Sequence, residues 1–362
     1  MPPSTRGCAM SEPLLEVEDL RVSFRSRRGT AVAVDGLSFS LAPGEVLGVV
    51  GESGSGKSVS MMSMLGLIRD PNCTVEGSAR FRGNDLVGMA DKDLRVLRGR
   101  DIAMIFQDPM TSLTPVYTVG WHIAEQIRVH QSMSKARARA RAVELLAEVG
   151  IPDPARRIDD YPHQFSGGMR QRAVIAMGLA NNPSLLIADE PTTALDVTTQ
   201  AQVLDLLRRL RRDHGSSIIL ITHDMGVVSQ LADRVLVMYA GRAAEEGPRQ
   251  EVFHHPRHPY TWGLLGSVPR ARAPRVRRLP AIPGSPASAL AVPSGCAFAP
   301  RCRFAHDQCA ERPPLAGADH LDACWLPRDR RHELRHSLDE VATAAGDPGQ
   351  QSIIVPATEE FE

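Results

Sequence analysis

The sequence predicts an α/β protein whose core is a mostly parallel sheet. Residues 46–50, 185–188 and 217–222 form short apolar runs, which is typical of strands buried on both faces. A helical pattern follows each run, and strands that alternate with helices favour a parallel sheet. A glycine-rich loop directly follows the first run. At 362 residues the chain is long enough for such a core and a second, smaller unit.

The loop at residues 51–58 reads GESGSGKS and matches the phosphate-loop pattern G-x-x-x-x-G-K-[ST] at each fixed position. Glycines between a strand and a helix let backbone N–H groups and the helix N-terminus face one anion. Lys57 is expected to reach the β- and γ-phosphates, and the Ser58 hydroxyl to bind Mg²⁺. A Gly/Ser loop that matches by chance is the alternative. The nucleotide-binding residues that we predict in this loop are Gly51, Ser53, Gly54, Ser55, Gly56, Lys57 and Ser58.

The composition and net charge of the chain disfavour some classes of binding partner. Lys+Arg and Asp+Glu balance at 42 each, so no global field steers the chain toward nucleic acid. The basic run at 135–141 lacks interleaved aromatic residues and is expected to be a solvated helix face. No run of about 18 apolar residues predicts a membrane span, and residues 1–10 lack the apolar centre of a signal peptide. We therefore expect a cytoplasmic protein that does not bind nucleic acid, with residues 1–13 disordered.

Two antiparallel strands are predicted ahead of the phosphate loop. Residues 14–24 and 31–41 carry apolar residues with a period of two and are separated by a turn-prone segment. Phe24 is a candidate for stacking on an adenine ring. A core position for Phe24 within its strand is an equally good interpretation.

Polar side chains stand at the carboxyl ends of the predicted parallel strands, where the ligand crevice of such a sheet opens. Asp189 is expected to hold Mg²⁺, and Glu190 to polarise the attacking water. Gln107 is a candidate for binding both Mg²⁺ and that water, although alone it would be an ordinary loop residue. His223 is expected to hydrogen-bond the γ-phosphate rather than only cap a strand. The predicted catalytic residues are thus Glu190, His223 and Gln107.

A second anion-binding helix end is predicted at Ser166, Gly167 and Gly168, which precede a helical pattern at 171–181. One subunit with one phosphate loop has no obvious use for it. If two subunits pack head to tail, each supplies this end to the γ-phosphate of the other. A plain helix cap is the alternative interpretation.

Together these motifs resemble the nucleotide-binding subunits of ATP-binding cassette (ABC) transporters. The motifs are GESGSGKS at 51–58, FQDP at 106–109, SGGMRQR at 166–172, LLIADE at 185–190, ALD at 194–196 and THD at 222–224. The resemblance implies a P-loop NTPase with a RecA-like core, an antiparallel β subdomain and a helical signature subdomain at about 112–180. It also implies a head-to-tail dimer with two ATP molecules, Asp196 at the dimer seam, and Gln107 coupled to membrane subunits. Phe165 replaces the usual leucine before the signature, and Met169 replaces a glutamine.

Further motifs resemble the first-type ATPase subunit of oligopeptide, dipeptide and nickel importers. They are DPMTSLTP at 108–115, MYAGR at 238–242, PRHPYT at 256–261 and GCAFAPRC at 295–302; Thr114 replaces a more common asparagine. The resemblance implies an ATPase at the cytoplasmic face of the inner membrane that powers import of di- or oligopeptides. Implied partners are two membrane-spanning permeases, a second, non-identical ATPase and, indirectly, an extracellular solute-binding protein. Import of nickel or another small solute is an alternative. A soluble, non-transport ABC ATPase is disfavoured, because the chain has one phosphate loop and no long heptad run.

The C-terminal part contains Cys296, Cys302, Cys309 and Cys324 with the spacing C-x5-C-x6-C-x14-C. This is not a zinc-ribbon spacing, so the spacing leaves a metal site and a small cysteine-containing cap open. The family resemblance implies a [4Fe-4S] cluster on these four thiolates. Nothing in the sequence places this segment near the nucleotide, so a structural role is expected. The expected domains are 14–262 for the nucleotide-binding domain, 263–335 for the extension and 336–362 for a mobile tail.

Overall fold

The computed structural model describes residues 12–193, 195–267 and 282–335. The N-terminal residues up to 11, which we expect to be disordered, lie outside the described residues, as do residues 268–281 of the expected extension and the expected mobile tail from 336.

The strands of the described residues occupy most of the positions that the sequence predicts. They are β1 (Leu15–Ser26), β2 (Gly29–Leu41), β3 (Val46–Val50), β4 (Cys73–Phe81), β5 (Asn84–Asp85), β6 (Ile102–Ile105), β7 (Leu185–Asp189), β8 (Ser217–Thr222), β9 (Arg234–Tyr239), β10 (Arg242–Pro248) and β11 (Leu321–Asp322).

The α-helices of the described residues are α1 (Lys57–Met64), α2 (Asp91–Leu97), α3 (Pro109–Ser112), α4 (Val119–His130), α5 (Lys135–Glu148), α6 (Pro154–Arg157), α7 (Gly167–Gly178), α8 (Val197–His214), α9 (Met225–Leu231), α10 (Arg249–His254) and α11 (Pro259–Gly266). Short 3-10 helices lie at Pro162–Gln164, Ala299–Arg301 and Asp307–Ala310.

Two sheets form the framework of the described chain. A seven-stranded sheet has the order β11-β10-β9-β3-β8-β7-β6, and a four-stranded sheet has the order β2-β1-β4-β5. Strands β6, β7, β8, β3 and β9 run parallel, whereas β10 and β11 pair antiparallel at one edge. The second sheet is antiparallel, with Leu15 opposite Leu41 in its first pair. The predicted fold class, a parallel core with an antiparallel β subdomain, is therefore confirmed.

Side chains on β3 pack against opposite layers of the molecule. Leu47 and Val49 join a core cluster that also contains residues of the antiparallel sheet. Val46 and Val50 join the cluster formed with the helices on the other face. All four side chains are fully buried, because this strand lies between two layers. The phosphate loop begins directly after the carboxyl end of this central strand.

Helices α4 and α5 lie in the predicted helical subdomain at about 112–180 and follow one another in the chain. Thr118 caps the first, accepting a hydrogen bond from Trp121 N at 3.2 Å. Ser134 caps the second in the same way. Helix α5 buries Ala138 and Leu145 and leaves its arginines at the surface, where Arg139 pairs with Asp159. The basic run is thus a solvated helix face, as predicted.

Segment 282–335 is joined to the main sheet. Strand β11 extends the sheet by pairing with β10, with Glu245 opposite Asp322. Glu245 is fully buried and accepts hydrogen bonds from the backbone N–H groups of Arg257 and His258. His320 lies 2.7 Å from the same carboxylate through Nε2. A buried carboxylate needs such partners, so this cluster fixes the extension on the core.

His258 makes the fold sensitive to acid. Its Nδ1 accepts a hydrogen bond from Tyr260 N at 3.0 Å and so caps α11, which requires a neutral ring. Burial lowers the pKa of His258 to about 4, below the ordinary value of ~6.5 that the unfolded chain retains. The stabilising contribution is present above pH ~6.5 and is lost as the pH falls toward 4. We expect His258→Asn, which keeps an acceptor for the cap but does not titrate, to flatten the fall in melting temperature across this range. Equal pH dependence in both proteins would contradict this prediction.

Candidate functional site

The phosphate loop depends on glycine at positions that touch other parts of the backbone. A Cβ on Gly51 would lie 2.2 Å from the Met238 carbonyl oxygen, and one on Gly56 would lie 2.4 Å from the Ala33 carbonyl oxygen. Gly56 also has a left-handed backbone, with φ of 95°, where it precedes α1. The loop therefore rests on β2 and on the end of β9, and larger residues do not fit there.

Lys57 lies inside this loop with 6% of its surface exposed. Its Nζ donates to the carbonyl oxygens of Gly51 at 2.7 Å and Glu52 at 2.9 Å. Burial lowers the pKa of Lys57, and the carboxylates of Glu190, Asp189 and Glu52 oppose that shift. The sequence predicts that this cation reaches the phosphates. In the structure Lys57 lies within the loop, close to Asp189 and Glu190.

Asp189 and Ser58 lie together as the sequence predicts. Ser58 Oγ donates to Asp189 Oδ1 at 2.8 Å, joining the first turn of α1 to the end of β7. Asp189 is buried, and burial raises the pKa of its carboxyl, with a smaller increase from Glu190. The hydrogen bond from Ser58 and the charge of Lys57 act in the opposite direction. Two hard oxygen donors thus face the same space at the helix N-terminus.

Glu190 is the centre of a polar cluster beyond the end of β7. It accepts hydrogen bonds from Gln107 Nε2 at 3.1 Å and from Thr193 Oγ1 at 2.8 Å. His223 Nδ1 lies 3.1 Å from its other oxygen. Two of the predicted catalytic side chains, Gln107 and His223, therefore contact the third, Glu190. Thr193 was not predicted as a site residue, because a loop threonine carries no sequence signal apart from its position close to Glu190.

The two adjacent acids have their pKa values shifted in opposite directions. Burial raises the pKa of Glu190, but the hydrogen bonds from Thr193 and His223 and the charge of Lys57 outweigh it and lower the net value. The backbone of Glu190 is left-handed, with φ of 47°, so its side chain diverges from that of Asp189. Adjacent carboxylates in different environments are suited to different roles.

Ser166 caps α7, accepting a hydrogen bond from Met169 N at 3.3 Å. This helix begins at Gly167, four residues before the predicted start at 171, because the serine cap brings both glycines into the first turn. A Cβ on Gly168 would lie 2.6 Å from Thr199 Cγ2, whereas one on Gly167 would meet nothing within 4 Å. Among the described residues, no hydrogen bond joins Ser166 to the phosphate loop. The role of Ser166, Gly167 and Gly168 toward a second subunit stays a prediction.

Asp196 and Phe24 also remain predictions in their binding roles. Asp196 caps α8, accepting hydrogen bonds from Thr199 N at 2.9 Å and Thr199 Oγ1 at 2.7 Å. Its neighbour Ala194 lies outside the described residues. Phe24 is partly buried and packs against the core cluster beneath the antiparallel sheet, so the core interpretation of this residue has direct support.

An unexpected contact joins the C-terminal extension to the phosphate loop. Arg301 Nη1 and Nη2 donate to the two carboxylate oxygens of Glu52 at 2.6 and 3.0 Å. Glu52 N donates to the Tyr260 hydroxyl at 2.8 Å. The structure thus places Arg301 beside the phosphate loop, a position that nothing in the sequence indicated. The partners are far apart in sequence, so no local pattern could have indicated the pair.

The four predicted cluster ligands are free cysteines, each partly buried. Burial raises the pKa of Cys302 to about 12 and of Cys324 to about 11. Cys296 N donates to the Cys309 carbonyl oxygen at 2.9 Å, so backbone bonding ties two of them together. Across the described ranges, which include all four, no group of three or more His, Cys, Asp or Glu side chains is arranged to hold a metal ion. The predicted [4Fe-4S] cluster is not supported by this geometry.

None of the helices within the described ranges is both long and apolar enough to span a membrane. Two family models match the chain: "ABC transporter" over residues 34–193 and "Oligopeptide/dipeptide transporter, C-terminal region" over residues 244–309. The first matched region contains the phosphate loop, and the second contains Arg301.

Similar proteins carry related names. A putative peptide import ATP-binding protein of Brucella abortus is 53% identical over 303 residues, covering 84% of this chain and 91% of the relative. The oligopeptide transport ATP-binding protein OppD of Mycobacterium tuberculosis is 52% identical over 316 residues, covering 86% of this chain but only 52% of that longer protein.

Solved structures give the same family. The ATP-binding cassette MJ0796, in a dimer bound to ADP and Pi, matches with a TM-score of 0.59 and 26% identity, covering 65% of this chain and 98% of that chain. The cbiO1 protein of Clostridium perfringens, part of an ABC transporter complex, matches with a TM-score of 0.57 and 28% identity, covering 67% of this chain and 91% of that chain. Fold, site and similarity agree: this chain belongs to the ATP-binding subunits of ABC transporters, in the oligopeptide/dipeptide transporter family.

Proposed function

We propose that this ATPase powers import of di- or oligopeptides through a transporter complex. The observation that carries the proposal is the presence, on one chain, of the contacts among Ser58, Asp189, Gln107, Glu190 and His223 and of the oligopeptide/dipeptide C-terminal region. The curated relatives named above are described as peptide import and oligopeptide transport proteins. Nickel and other small solutes are the alternative cargo, since the chain itself touches no cargo.

In the proposed reaction, water attacks the γ-phosphorus of ATP, the bond to the β–γ bridging oxygen breaks, and ADP and phosphate form. The Glu190 carboxylate, whose pKa is lowered by the hydrogen bonds from Thr193 and His223, is ionised and accepts the proton of the attacking water. Gln107 and His223 contact that carboxylate and orient the water and the γ-phosphate. Lys57 neutralises phosphate charge from within the loop.

Mg²⁺ fits the donors at Ser58 and Asp189. A hydroxyl and a carboxylate 2.8 Å apart are hard oxygen ligands, and Mg²⁺ in nucleotide sites takes few protein ligands beside phosphate oxygens and water. The ion would neutralise charge on the β- and γ-phosphates. The proposal contains no iron–sulfur cluster, because the cysteine geometry gives it no support.

The complete site is proposed to need a second subunit. Ser166 and Gly167 lie at the start of α7 with open space around the glycine. In a head-to-tail pair they would face the γ-phosphate bound by the partner. The similar cassette MJ0796 forms a dimer that is bound to ADP and Pi. The second subunit is a similar, non-identical ATPase, so the chain alone should hydrolyse ATP slowly.

A surface for two permeases is proposed near the Gln107 loop, on the cytoplasmic face of the membrane. Val116, Tyr117 and Trp121 are exposed, with exposed fractions of 69%, 44% and 43%. The Tyr117 and Trp121 rings stack with centroids 3.9 Å apart. A group of exposed large apolar residues marks a contact with another protein. This exposed apolar group follows Gln107 closely in the sequence, and Gln107 contacts Glu190. Movement of the permeases can therefore be transmitted through Gln107 to the Glu190 cluster.

The test is affinity purification of the tagged chain from detergent-solubilised membranes, with mass spectrometry of the proteins recovered. We expect two polytopic membrane proteins and a second ATPase. With Trp121→Glu we expect the second ATPase to remain and the membrane proteins to be lost. Recovery of ribosomal or DNA-bound proteins, with the chain absent from membranes, would overturn the transport function.

A further inference from the structure

Glu52 places a negative charge inside a loop that binds a polyanion. It is the second residue of the phosphate loop, and its carbonyl oxygen accepts a hydrogen bond from Lys57 Nζ at 2.9 Å. Its carboxylate is close enough to act on the pKa of that lysine. Left alone, this charge would repel the phosphates and weaken nucleotide binding.

The extension supplies the compensating charge. Arg301 has 5% of its side chain exposed and binds both oxygens of Glu52 in a bidentate pair. Further partners fix its guanidinium: Nε donates to the Pro283 carbonyl oxygen at 2.8 Å, and Nη1 to the Tyr239 hydroxyl at 3.3 Å. A planar guanidinium held in this way is well suited to a bidentate carboxylate contact.

The backbone of Glu52 is held independently. The buried Tyr260 hydroxyl accepts its N–H at 2.8 Å, and the Tyr260 ring packs 4.7 Å from that of Tyr239, measured between centroids. Tyr260 thus holds the position of the residue, while Arg301 sets its charge. Removal of the guanidinium alone should leave the loop in place and change mainly its electrostatics.

We propose that Arg301 is a positioning residue for ATP binding: it holds and neutralises Glu52, so that the cysteine-containing extension controls the nucleotide affinity of the phosphate loop. This inference rests on nucleotide binding at the loop and is independent of the cargo. The extension then contributes to ATP binding and also adds strand β11 to the main sheet.

The proposal predicts effects of opposite sign at the two partners. Arg301→Gln leaves the carboxylate uncompensated, and we expect the Kd for ATP to rise about tenfold, equivalent to ~1.4 kcal/mol. Glu52→Gln keeps an acceptor for Arg301 but removes the negative charge, so the Kd for ATP should fall. The double variant should return close to the wild type, and the defect of Arg301→Gln should shrink as salt concentration rises.

The measurement is equilibrium binding of a fluorescent ATP analogue to the full-length chain, with melting temperature recorded for each variant. Arg331→Gln is the matched control: Arg331 is a buried arginine of the same extension that pairs with Asp322 at 2.7 Å, away from the loop. It should lower stability and leave affinity unchanged. A merely structural role for Arg301 would make both single variants weaken binding without rescue in the double variant, and that result would overturn the proposal. If the wild-type chain bound no nucleotide, the site assignment itself would fail.

Discussion

Replacement of Glu190 by glutamine is expected to slow ATP hydrolysis by at least about a hundredfold while ATP still binds, since positioned general bases contribute ~10²–10⁴ in rate. Glutamine preserves the size of the side chain and can still accept hydrogen bonds from Thr193 and Gln107. It cannot take a proton from water. Because the phosphate loop is unchanged and one negative charge is removed from the site, nucleotide affinity should not fall.

The measurement is phosphate release by the purified chain, at concentrations high enough for it to pair with itself, together with ATP binding. We expect this variant to accumulate ATP-bound dimers in size-exclusion chromatography. Glu144→Gln, an exposed acid on α5 with 64% of its side chain accessible, is the control and should behave as the wild type. An unimpaired turnover rate in Glu190→Gln would refute the assignment of Glu190 as the base.

Replacement of Lys57 by methionine is expected to have the largest effect on binding. Lys57 is the buried cation that lies close to Glu190, Asp189 and Glu52. Its loss leaves these carboxylates uncompensated where phosphates must enter, and truncating one partner of a buried charge pair costs ~2–5 kcal/mol. We expect the Kd for ATP to rise about a hundredfold or more, and hydrolysis to fall below detection.

Two other lysines of the chain provide controls for this experiment. Lys135 begins α5 and is exposed, and Lys92 lies on α2, so methionine at either position removes the same charge far from the loop. Both control variants should bind ATP as the wild type does. If Lys57→Met bound ATP with unchanged affinity, the phosphate-loop assignment would be wrong.

The parts of the site that were predictable are those that local sequence determines. A strand, a glycine-rich turn and a helix place Lys57 and Ser58 by their spacing alone. Gln107, Asp189 and His223 follow from one rule, that the carboxyl ends of adjacent parallel strands meet at one edge of the sheet. The rule predicts that these residues lie near one another. The structure adds the contacts that place Glu190 at the centre of the cluster.

The remaining parts depend on tertiary packing. Arg301 meets Glu52 only because β11 and the following chain fix the extension beside the loop, and no periodicity encodes such a contact. The family resemblance implied a cluster on the four cysteines, but no group of three or more His, Cys, Asp or Glu side chains in the described ranges is arranged to hold a metal ion.

The close approach of Gly168 to Thr199 has a consequence for how a dimer assembles. The Thr199 hydroxyl binds Asp196, while the methyl group of the same residue fills the space that a side chain at Gly168 would need. The first turn of α7 therefore packs directly against the N-terminus of α8. Both carry residues that we predict to face the second subunit. A bulkier residue at 199 would displace both segments together, so it should weaken ATP-dependent dimerisation without touching the nucleotide.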